Sequence, residues 1–125
     1  MKNKIRHLFQ SSLVILATVG LLQSCNDIIE ANLSNTSLTV LAPVDNLVTT
    51  DSIHVFAWQT LDGSKNYQIQ IVSPKFDSVT NFIIDTTTSK TNFTYKLTPK
   101  RYQWRVRALN NNSQSPYITR NLTIQ

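Results

Sequence analysis

Arg105 and Arg107 stand two residues apart with Gln103 before them, and Gln68 and Gln70 repeat that spacing upstream. A spacing of two places side chains on one face of an extended strand. If the two segments pair, Gln68, Gln70, Gln103, Arg105 and Arg107 share an outward face. Planar guanidinium groups flanked by amides can grip a carboxylate or sulfate through paired hydrogen bonds. Such residues are equally ordinary on the solvated side of an antiparallel sheet. The face is therefore a candidate contact surface.

The remaining reactive residues offer less. Beyond the first ten positions His54 is the only histidine, and its Asp51-Ser52 neighbours are too close along an extended segment to build a triad, so a rim position is expected. Asp62, Asp77 and Asp85 are read into different loops, and their spacing favours neither a calcium site nor a catalytic carboxylate pair. The chain has one cysteine, Cys25, which excludes an internal disulfide and a Cys-cluster zinc site. It has two glycines, too few for a glycine-rich phosphate loop. No catalytic residue, metal or cofactor is expected, and the chain is read as a protein that is not an enzyme.

The elements that would position these residues are strands. From Leu38 to Gln125 apolar residues alternate in short runs with no 3.6-residue period. Strands are expected near Leu38–Leu41, at Ile53–Gln59, Tyr67–Val72, Phe82–Ile84 (short), Phe93–Leu97, Tyr102–Leu109 and Ile118–Ile124. Asp62-Gly63-Ser64, Thr98-Pro99-Lys100 and Asn110-Asn111-Asn112-Ser113 supply the turn chemistry between them. Seven strands at this spacing predict an all-β, seven-stranded antiparallel β-sandwich. Parity assigns Phe56, Trp58, Tyr67, Ile69, Ile71, Phe93, Tyr95, Leu97, Tyr102, Trp104 and Val106 to the core. It leaves Phe76, Phe82 and Tyr117 as candidate exposed aromatics, each either covering the sandwich edge or offering a ring to a sugar.

These residues resemble a fibronectin type III domain of the immunoglobulin-like class. Trp58 closes one strand, Tyr67 opens the next, and Leu97 and Pro99 precede the run Tyr102-Gln103-Trp104-Arg105-Val106-Arg107-Ala108-Leu109-Asn110. In that family the first tyrosine of such a run makes the tyrosine corner, its hydroxyl holding a backbone group. The loop between Leu97 and Tyr102 is one residue shorter than usual, and Ser113 stands where the family often has glycine. The Pro43-Val44-Asp45 start and the Phe56, Trp58, Tyr67 and Trp104 pattern also resemble the sandwich domains that begin starch-utilisation surface lipoproteins.

The first segment reads as an address. Lys2, Lys4 and Arg6 precede the apolar run Leu13–Leu22, roughly half of the ~20 residues that span a bilayer. Leu22-Gln23-Ser24-Cys25 resembles the lipobox of bacterial lipoproteins, with Gln23 bulkier than usual. The resemblance implies a signal peptide over 1–24, diacylglycerol joined to the Cys25 thiol, and palmitate-class acyl chains holding the chain to a membrane. Residues 25–37 are expected to be a lipidated tether and 38–125 the folded domain. Without Lys2, Lys4 and Arg6, nine basic residues face seven acidic ones, so the mature chain is close to neutral and nucleic acid is not an expected partner. Asp27 and Glu30 loosely resemble the acidic export signal of surface-displayed lipoproteins, and an outer-membrane address with surface exposure is expected. Asp51-Ser52-Ile53, Asp77-Ser78-Val79 and Asp85-Thr86-Thr87 resemble acceptors of a bacterial O-glycosylation system, marking Ser52, Ser78 and Thr86. The expected function is a membrane-anchored interaction or adaptor module of the cell envelope, its partner an envelope protein or a surface glycan. The alternative is a glycan-binding accessory lipoprotein of a polysaccharide-uptake system.

Overall fold

Arg101–Leu109 alternates without a break: Tyr102, Trp104, Val106 and Ala108 are buried, and of the residues between them Gln103, Arg105 and Arg107 are half-buried. Period-two burial of this kind is what a strand with one face on a core and one toward water requires. The computed structural model describes residues 29–125; the expected signal peptide and Cys25 lie outside the described residues.

The described chain forms eight strands: β1 (Val40–Ala42), β2 (Leu47–Thr49), β3 (Ile53–Trp58), β4 (Asn66–Lys75), β5 (Ser78–Thr88), β6 (Asn92–Lys96), β7 (Arg101–Leu109) and β8 (Ile118–Ile124). They make two sheets, a three-stranded one in the order β1-β3-β6 and a five-stranded one in the order β2-β8-β7-β4-β5. All pairings are antiparallel except β2 with β8, which run parallel. The all-β sandwich expected from the alternation is present, with eight strands in place of seven. The additional strand, β2, spans three residues, too short to display an alternation. Asn46, at φ 61°, turns the chain into it, while the Asp45 carboxylate accepts from the Asn46 and Asn121 amides.

The second departure is length. β5 runs eleven residues instead of the three expected; its first half is exposed on both sides and carries polar residues at inward and outward positions alike, so the sequence shows no alternation there. Pairing with β4 holds it in place, with register shifts at Ile71/Val72 and Ser73/Pro74.

Between the sheets the expected inward set is found. Phe56, Trp58, Tyr67, Ile69, Ile71, Leu97, Tyr102, Trp104 and Val106 are buried, and Phe93 and Tyr95 pack half-buried against them from the edge strand β6. Phe56 meets Trp104 edge-on at 4.9 Å between ring centroids, and Trp58 meets Tyr67 at 5.6 Å. Each fully buried side chain of this size stabilises the fold by roughly 1.5–3 kcal/mol through area removed from water. The tyrosine corner forms: the Tyr102 hydroxyl donates to the Thr98 carbonyl at 2.6 Å. His54 sits on the inward side of β3, buried, with Nε2 2.7 Å from the Asp51 carbonyl; the rim position expected for it is not observed. Arg120 occupies an inward position of β8, where its guanidinium donates to the carbonyls of Pro43 and Val40 and closes the sandwich edge.

The folded part begins earlier than residue 38. Leu33 is fully buried in the core, its amide donates to Ser113 Oγ, and Ala31 O accepts from Asn110 Nδ2 at 2.6 Å. Part of the segment expected to be a tether is thus a strap fastened to the domain, because one leucine at position 33 fills a gap at the end of the sandwich.

Candidate functional site

β4 and β7 are direct neighbours, with Gln68 opposite Arg107, Gln70 opposite Arg105 and Val72 opposite Gln103. The register therefore brings all five residues of the expected contact face together on the outer side of the five-stranded sheet. Two further strands complete it: Asp85 of β5 lies opposite Gln70, and Thr119 of β8 lies opposite Arg105. Asp85, read from the sequence into a loop, is a strand residue here, because β5 extends past Ile84.

These side chains form one connected network. Both oxygens of the Asp85 carboxylate accept, Oδ1 from Gln68 Nε2 at 2.9 Å and Oδ2 from Gln70 Nε2 at 3.0 Å. Each glutamine then turns its oxygen to an arginine: Arg105 Nε donates to Gln70 Oε1 at 2.7 Å, and Arg107 Nε donates to Gln68 Oε1 at 2.9 Å. The amides thus align between a carboxylate and two guanidinium groups, an arrangement in which each hydrogen bond polarises the next. Gln103 completes the far end, accepting from the Phe76 amide and donating to Asn121 Oδ1.

Aromatic rings lock the guanidiniums in place. The Arg105 guanidinium carbon lies 4.0 Å from the Phe76 ring centroid and 4.1 Å from that of Tyr117, and the Arg107 carbon lies 4.4 Å from Tyr117. Cation–π contacts of this kind contribute about 0.5–2 kcal/mol each, depending on how dry they are. The Tyr117 hydroxyl also donates to Gln68 Oε1 at 3.1 Å. Beneath the cover Val72 is fully buried although it is not part of the inter-sheet core. The outer face therefore carries a small packed layer of its own.

Of the three candidate exposed aromatics, Phe76 and Tyr117 are half-buried in this layer and Phe82 is 55% exposed. The three candidate glycosylation positions differ in access. Ser78 is exposed at the start of β5, Ser52 is half-buried, and Thr86 lies opposite the buried Ile69, half-buried beside a groove between the edge strands β5 and β6 that Thr88, Lys90, Asn92 and Phe93 also line.

Chemically, the face offers hydrogen-bond donors. Each arginine uses Nε within the protein, and among the described residues the Nη groups of Arg105 and Arg107 make no hydrogen bond. Four amino groups on two fixed planes can meet a carboxylate or sulfate without further side-chain ordering. Sequence reasoning found the arginines and glutamines by parity but missed Asp85 as their partner and the two rings as their clamp. Among the described residues no cluster of three or more His, Cys, Asp or Glu side chains is placed to hold a metal ion.

Solved structures similar to this one include fibronectin type III domains. The domain from the human KIAA0970 protein matches with a TM-score of 0.54 at 18% identity, covering 76% of this chain and 76% of that one. The fibronectin(III)-like modules of Clostridium thermocellum CbhA match with a TM-score of 0.53 at 10% identity, covering 71% and 96%. The crystal structure of FN3tt matches with a TM-score of 0.49 at 22% identity, covering 72% and 90%. No family model matches the chain. No curated protein matches it either. The fold is fibronectin type III-like.

Proposed function

We propose that this protein is a lipid-anchored interaction module of the bacterial cell envelope, held through Cys25 and working by contact and not by turnover. The observation that carries the contact role is the ladder Phe76–Arg105–Tyr117–Arg107 with its Asp85-Gln68-Gln70 backing. An exposed arginine normally loses about 2 kcal/mol of rotamer freedom when it binds. Here much of that freedom is already spent on folding, so a partner meets preordered donors. The partner that fits is an envelope protein presenting carboxylates. Membrane anchoring adds effective concentration, so a weak contact suffices. An outer-membrane location with surface display is the reading that Cys25, Asp27 and Glu30 support by their resemblance to the signals of such lipoproteins.

The second reading, a glycan-binding accessory lipoprotein, is favoured by one observation: the exposed Phe82 ring on β5 opposite Val72, near the polar face. Such rings form stacking platforms for sugars.

The experiment that tests both uses intact producing cells. Incorporation of labelled palmitate, lost in Cys25→Ser, establishes the anchor. Crosslinking and affinity capture should then give an envelope-protein partner that disappears in Arg105→Ala/Arg107→Ala. Capture unchanged in that variant overturns the face. Retention on neutral or acidic glycan columns that depends on Phe82 replaces the first reading with the second.

A further inference from the structure

We infer that the end of the sandwich carrying the 59–65, 89–91 and 110–117 connections faces the lipid bilayer, and that its far end and sheet faces alone are presented to partners. This rests on the anchor at Cys25 and adds which way the domain stands on it.

The strap sets the geometry. Lys65 Nζ lies 2.6 Å from Glu30 Oε1. Ala31 O accepts from Asn110 Nδ2 and from Ser113 Oγ. The Leu33 amide donates to Ser113 Oγ and its side chain is fully buried. Gly63, at φ +84°, lies so close to Ala31 that an added Cβ would come within 2.5 Å of the alanine methyl. From Glu30 onward the chain is therefore fixed to the loops at one end. Four residues lie between Cys25 and Glu30, and covalent geometry limits the five steps from one to the other to at most about 18 Å.

Against that leash, β4 has ten residues and β7 nine, so the strands carry the far end some 30 Å further away. The far end holds the Phe76-Asp77 turn of the β4–β5 hairpin and Gln125. The near end carries little net charge. Asn111, Asn112 and Gln114 are exposed and uncharged, the exposed Asp62 and Lys90 are of opposite sign, Lys65 is paired with Glu30, and Ile29, at 91%, is the most exposed large apolar residue described. An aliphatic residue four positions after the acylated cysteine gains by entering the interface, at roughly 25 cal/mol per Å² removed from water.

The test uses the acylated full chain, purified from producing cells and reconstituted in phosphatidylcholine vesicles containing nitroxide-labelled headgroups. Acylation consumes the only native thiol, so a fluorophore can be placed through Asn111→Cys at the near end or Asp77→Cys at the far end. Quenching should be roughly threefold or more greater at position 111 than at 77, given the ~30 Å difference. A Gly/Ser insert of about 20 Å r.m.s. reach placed before Ile29 should erase most of that difference. Gly63→Ala, which forces the strap away from the loops, should reduce it while the far end stays folded. Equal quenching at the two positions, with the protein still floating on the vesicles, overturns the orientation alone. Loss of flotation together with an unmodified Cys25 mass overturns the anchor, and the orientation with it.

Discussion

The two sheets turn very different outer faces to solvent. On the three-stranded sheet Leu41, Ile53 and Val55 are more than half exposed, beside Thr94 and Lys96, whose side chains make no hydrogen bond or ion pair among the described residues. On the five-stranded sheet a carboxylate, three glutamines, two arginines and two rings are tied into one layer that also buries Val72. Alternation demands that each strand show something to water, and it is indifferent to what. One face meets that demand with loose, independent side chains. The other is ordered to a degree that solvation does not require, and this is the physical ground for assigning contact to it.

The scale for this comparison is set by the residue beneath it. Trp104→Ala, on the inward side of β7 and fully buried, should cost about 3–5 kcal/mol in denaturant-induced unfolding. Arg105→Ala removes one guanidinium from between two rings and leaves Gln70 Oε1 without its donor. A loss of about 1–2 kcal/mol is expected, with increased proteolysis at the Lys75–Ser78 turn as Phe76 loses its partner. Asp85→Asn keeps one acceptor where the carboxylate had two, on an exposed residue, and should cost about 0.5 kcal/mol or less by thermal melting. Val55→Thr on the other sheet should change stability by no more than about 0.5 kcal/mol, since a β-branched residue with the same strand preference replaces one already half in water. A Val55→Thr cost matching that of Arg105→Ala would erase the distinction between the faces.

Much of the fold was legible in the chain because period-two burial is written residue by residue: Tyr102-Gln103-Trp104-Arg105-Val106 announces both its core and its outward side. The tyrosine corner followed from the resemblance of the Tyr102–Asn110 run to fibronectin type III domains. Features that depend on partners distant in sequence were not legible. Leu33 looks like an isolated leucine in a polar run until Ser113, eighty residues away, receives its amide. Asp85 and Tyr117 reach Gln68 from separations of 17 and 49 residues, and nothing local to either position marks them as its partners. Arg120 defies parity altogether, since a basic residue at an inward position is tolerable only because the carbonyls of Val40 and Pro43 wait there. The outward arginines could be found by counting, but their immobilisation could not.

The central claim, that contact is made through the ordered face, is tested most directly by a photoreactive side chain placed at one exposed position on each sheet in producing cells. Thr119, opposite Arg105, marks the ordered face, and Thr94, opposite Val55, marks the loose one. The account predicts a discrete crosslinked product from position 119 and none from position 94. A product from position 94 with none from position 119 would contradict it.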